Sequence, residues 1–98
     1  SKAVVDLDFA FKKAIKCGYL TPDDTDISAA KELFQTLSSQ HNFKLADDGF
    51  PQKGGKLTPE EAFVAIANDK TGAKYVESLQ NKMLKHNIWL WEKGSIDE

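Results

Sequence analysis

The chain contains no arginine; all thirteen of its basic residues are lysine. Arginine supplies the planar fork that grips phosphates and guanine edges with two hydrogen bonds at once, so sequence-specific nucleic-acid recognition loses its usual instrument. There is a single cysteine, Cys17, which excludes an internal disulfide framework and is compatible with a reducing compartment. No apolar run approaches the ~20 residues that span a bilayer. Ser1-Lys2-Ala3-Val4-Val5-Asp6 does not run from charged to apolar as a signal peptide does, so the cytoplasm is the expected location. Neither an internal repeat nor a low-complexity tract is present. No P-loop, dinucleotide fingerprint or nucleophile elbow occurs, and no cofactor is expected.

What remains is a chain of 98 residues with 41% apolar and 29% charged residues and a net charge of −2. That length suits one domain with a modest core, so residues 1–98 are expected to form a single helical unit. The charge is uneven: residues 1–20 carry four lysines against two aspartates, and residues 21–50 carry six acids against two lysines. Residues 51–98 balance at seven of each sign. A bulk electrostatic pull toward nucleic acid is therefore missing.

Ile88-Trp89-Leu90-Trp91 is the most informative segment. Both tryptophans of the protein lie in it, directly before the charged end Glu92-Lys93-Gly94-Ser95-Ile96-Asp97-Glu98. A helix or strand can hide one face of such a run but not both. Three readings follow: the tail closes a small core, or it anchors a partner, because tryptophan buries much area at low entropic cost. In the third, with lysines beside its tryptophans, it lies on a membrane surface, against which stand its shortness and acidic end.

Elsewhere the periodicity predicts an all-α fold of about four helices, in a bundle or two packed hairpins, with one irregular loop around residues 42–56. Val4, Leu7, Phe11, Ala14 and Ile15 mark a first helical stripe that ends near Gly18. Thr25 or Asp26 can cap a second helix over about 27–40, with Ala29, Ala30, Leu33, Phe34 and Leu37 inward. The loop holds Asp47-Asp48-Gly49, Pro51 and Gly54-Gly55, with Phe43 and Phe50 as apolar pins. Thr58-Pro59-Glu60-Glu61 is a capping box that opens a third helix. A fourth, from about Gly72, places Val76, Leu79, Met83 and His86 in one arc and Lys70, Lys74, Lys82 and Lys85 on another side. If it stops near Asn87, the tail is a separate extended piece.

Candidate chemistry is sparse. Residues 50–61 end like a calcium-binding loop, with Gly55, Leu57 and Glu61 in the right places. Loop positions 1, 3 and 5, however, fall on Phe50, Gln52 and Gly54, which removes most of the oxygen ligands. Cys17, His41 and His86, separated by 24 and 45 positions, do not form a zinc pattern, so no metal site is expected. Cys17 lies beside the first apolar stripe, where a buried, inert thiol is expected and a nucleophile is not. No catalytic residue is assigned, and the chain is not expected to be an enzyme.

The favoured expectation is a protein-binding module, such as a small adaptor, inhibitor or assembly factor. It would bind another protein or a second copy of itself through Trp89 and Trp91, flanked by Ile88 and Leu90, with Phe43 and Phe50 as secondary anchors. The alternative is a nucleic-acid-binding accessory protein that touches phosphates through Lys70, Lys74, Lys82 and Lys85.

Overall fold

The computed structural model describes residues 3–91. Eight elements follow in chain order: β1 (Ala3–Asp6), α1 (Asp8–Lys12), α2 (Thr25–His41), β2 (Lys44–Leu45), β3 (Pro51–Gln52), α3 (Pro59–Asn68), α4 (Lys70–Leu84) and β4 (Ile88–Trp91). The fold is therefore mixed α/β, and the all-α expectation is corrected. β1 pairs with β4 in parallel, and β2 pairs with β3 as an antiparallel hairpin.

The correction has a local and a distant cause. Val4-Val5 is a β-branched pair that favours extended backbone, and its partner lies at the far end of the described chain. Ala3 faces Ile88, Val4 faces Trp89, Val5 faces Leu90 and Asp6 faces Trp91. The helical stripe read from Val4 is real only in part. Leu7, Phe11 and Ala14 do turn inward, but the helix itself spans only Asp8–Lys12, and turns carry the chain onward. The loop expected over residues 42–56 contains the small hairpin of β2 and β3.

Helix ends are set by side chains. The Asp24 carboxylate accepts the Asp26 and Ile27 amides at 2.9 and 3.1 Å and so opens α2, one residue earlier than the caps expected. Asn42 ends α2 in the left-handed region, at φ 60°, which asparagine tolerates. The capping box at Thr58 and Glu61 forms as read, with Pro59 at the start of α3. Asp69 alone separates α3 from α4, and its carboxylate accepts the Thr71 and Gly72 amides at 3.0 and 2.9 Å.

The core is a phenylalanine cluster. Phe34 of α2 is fully buried, and the rings of Phe11, Phe43, Phe50 and Phe63 surround it at centroid distances of 5.8, 6.3, 6.4 and 5.4 Å. All four present edge-to-face or nearly so, the arrangement the ring quadrupole favours. α4 packs on α2, α3 and β4 through Val76, Leu79 and Met83, which are buried. No helix among the described residues is long and apolar enough to cross a membrane.

Candidate interaction surface

α4 ends at Leu84, and Asn87, at φ 59°, turns the chain into β4. The tail is thus an extended strand. Side chains alternate across a strand, and the burial of β4 alternates with them: Ile88 and Leu90 are 6% and 7% exposed, whereas Trp89 and Trp91 are 44% and 41% exposed. Ile88 and Leu90 join the core, and Val5 of β1 packs against it from beside them. The opposite face carries Trp89 beside Val4 and Trp91 beside Asp6. Val4 is 46% exposed, and with the two tryptophans it completes the set of exposed large apolar residues among those described. All three share one face of one small sheet.

β4 is held from its other side by a side chain. Gln80 of α4 donates from Nε2 to the Ile88 carbonyl at 3.1 Å, and its Oε1 accepts the Leu90 N–H at 2.8 Å. One carboxamide thus occupies the place of a neighbouring strand's peptide group. Ile88 and Leu90 are the residues whose backbone groups face away from β1.

The other residues singled out from the sequence are not gathered here. Phe43 and Phe50 lie in the core, 6% and 5% exposed, where they cannot meet a partner. Lys70, Lys74 and Lys85 are exposed along α4 and just after it. Lys82 is not available as they are. Its Nζ lies 2.6 Å from Asp24 Oδ2 and 2.7 Å from Asp26 Oδ2, and Ser78 donates to Asp26 at 2.5 Å. Burial pulls the pKa of Lys82 down, but the hydrogen bonds and charges of Asp24 and Asp26 outweigh it, and the amine sits above its ordinary value. This cluster ties α4 to the start of α2.

Cys17 is exposed in the turns after α1, contrary to the buried thiol expected from the stripe. His86 is exposed too, with its ring 4.7 Å from that of Tyr19. Among the described residues no three His, Cys, Asp or Glu side chains are grouped so as to hold a metal ion.

The sequence reading missed three contributors: Val4, Gln80 and Asp24. Val4 falls on the helical stripe that the periodicity predicts, and nothing local to Gln80 or Asp24 announces a strand-capping amide or a part-buried ion pair. No known protein family matches the chain, and neither does any curated protein or solved structure.

Proposed function

We propose that this chain is a non-enzymatic protein–protein interaction module, an adaptor, inhibitor or assembly factor, that binds through the outer face of the β1–β4 sheet. One observation carries the reading: Val4, Trp89 and Trp91, each more than 40% exposed, are brought together from opposite ends of the described chain. Isolated exposed apolar residues are ordinary, but a patch built from two tryptophans and a valine on one face of a sheet is the composition of an interface centre. The tryptophans act as anchors that fill pockets on the partner. Ile88 and Leu90 support them from below by fixing β4 to the core. The single cysteine suits a reducing, cytoplasmic setting.

The test compares wild type with the double variant Trp89→Ser, Trp91→Ser, each immobilised and exposed to an extract of the source cells. Circular dichroism and melting first confirm that the variant folds. A partner held by wild type should be lost from the variant, since each anchor contributes ~2 kcal/mol or more if it is a hot spot. The same set of proteins retained by both would overturn the reading.

A further inference from the structure

We propose that Gln80 is the positioning residue of the outer face: its carboxamide does for β4 what a third strand would, and the presentation of Trp89 and Trp91 depends on it. The inference rests on the interaction-module reading and names the side chain that sets the geometry of its anchors.

β1 alone is a weak support for β4. The two pair in parallel over Ala3–Asp6 and Ile88–Trp91, and parallel pairing is the less stable kind. A two-stranded sheet stands below the size at which sheets are stable alone, and among the described residues this one has no third strand. A hairpin turn cannot fix the pair, because Val4 and Trp89 are 85 positions apart. Burial also constrains β4 less than usual. Ile88-Trp89-Leu90-Trp91 is apolar on both faces, so the contrast between an apolar and a polar face that ordinarily sets register is missing.

The second support comes from α4 and is local. Gln80 lies about one turn before the end of α4, between Leu79 and the last turn's Met83, both 0% exposed, so the helix that carries it is fixed in the core. Lys85-His86-Asn87 then lead directly into β4. From this position Nε2 donates to the Ile88 carbonyl at 3.1 Å, and Oε1 accepts the Leu90 N–H at 2.8 Å. Donor and acceptor meet backbone groups two residues apart on one edge, as the peptide group of a paired strand does. Both bonds are partly buried, where water replaces a lost partner poorly. Clamping the backbone at Ile88 and Leu90 aims the alternate residues, Trp89 and Trp91, at the opposite face. Gln80 touches no partner in this arrangement; it acts through the strand.

The experiment is the fluorescence anisotropy of the native tryptophans, read well below the melting temperature of each variant. Both tryptophans lie in β4, so the emission reports on that strand alone, and a loss of global stability would not move it in the folded state. Gln80→Leu removes both bonds and should lower the anisotropy. Gln80→Glu keeps the shape and makes the second bond depend on pH. When protonated, the introduced carboxyl donates to the Ile88 carbonyl and accepts from Leu90, as the amide does. When ionised, it sets a charge against that carbonyl and keeps only the Leu90 bond. Its anisotropy should therefore match wild type in acid and fall as pH rises through a value above the ordinary ~4.3, because partial burial and the facing carbonyl favour the neutral form. Wild type carries every other titratable group unchanged and should stay flat over the same range. Should Gln80→Leu fail to fold, the profile of Gln80→Glu decides alone. A flat profile for Gln80→Glu overturns the proposal, since any loss in Gln80→Leu would then be one of packing. A folded Gln80→Leu with the anisotropy of wild type overturns it as well. If Gln80 leaves the anisotropy unmoved while Trp89 and Trp91 still govern capture of another protein, this inference fails and the broader reading stands. If Gln80 governs the anisotropy but capture does not depend on the tryptophans, the broader reading fails instead.

Discussion

Leu90 of β4 donates its backbone N–H to the side-chain oxygen of Gln80, which sits on a helix rather than on a strand, at 2.8 Å. The same amide donates to the Ile88 carbonyl, so one residue satisfies two edge groups that are partly shielded from water. Gln80→Leu keeps the volume and removes both bonds. It should cost about 1–3 kcal/mol in urea unfolding, the penalty for stranding partly buried backbone groups. Exchange of the Leu90 amide with solvent should accelerate in the variant. Equal protection of that amide in both proteins would show that Gln80 does not hold the strand.

Lys82 and Asp24 give a prediction about pH. The Asp24 side chain is 6% exposed and the Lys82 side chain 33%. Replacing the lysine strands a buried carboxylate, so Lys82→Met should lose about 1–3 kcal/mol at neutral pH. The amine is more strongly protonated in the folded state than in the unfolded one, because Asp24 and Asp26 outweigh the effect of burial. A raised pKa means that the stabilisation is fully present below the ordinary value of 10.5 and is lost as pH rises through the higher folded value. The gap between wild type and Lys82→Met should hold constant from pH 7 to about 10 and narrow above it. A gap that persists undiminished in strong alkali would mean that the lysine acts by packing alone.

These two residues also show where the sequence is legible and where it is not. The capping box at Thr58 and Glu61 could be read because its partners lie three residues apart. The inward faces of α2 and α4 could be read because helical periodicity repeats within a few turns. The strand identity of Val4 could not, since it depends on a partner 85 positions away at Trp89. A stripe of Val4, Leu7 and Phe11 satisfies helical spacing equally well until that pairing is known. Trp89 and Trp91 were legible as the unusual residues of the chain, but which neighbours face outward with them depends on register. Phe43 and Phe50 show the converse: loop residues with strong apolar character are drawn into the core once a short hairpin supports them.

Gly72 reverses a general rule. Replacing glycine by alanine inside a helix ordinarily stabilises by roughly 1 kcal/mol. Here a Cβ would stand 2.1 Å from the Ile66 carbonyl oxygen and 2.8 Å from Ile66 Cγ1, because a single residue joins α3 to α4 and the two helices meet at this point. Gly72→Ala should therefore destabilise by about 1–3 kcal/mol, the range for overpacked sites. Ala73→Gly beside it, at an exposed position, should cost only about 1 kcal/mol, from backbone entropy. Chemical denaturation of the pair checks both signs, and a stabilised Gly72→Ala would mean that the helix junction opens readily.

Trp91 and Phe34 should separate stability from surface. Phe34 is 0% exposed at the centre of the ring cluster, and Trp91 is 41% exposed on the outer face of the sheet. Phe34→Ala opens a cavity in the core and should cost about 3–5 kcal/mol, a large part of the stability of a domain this small. Trp91→Ala removes more atoms from a side chain that gives up less contact with the core, so its cost should be clearly smaller, on the order of 1 kcal/mol. Acrylamide should quench the tryptophan emission of the free protein strongly, and less once a partner covers the outer face of the sheet. Weak quenching at every dilution, together with a Trp91→Ala penalty equal to that of Phe34→Ala, would place the tryptophans in the core and leave the proposed interface without its anchors.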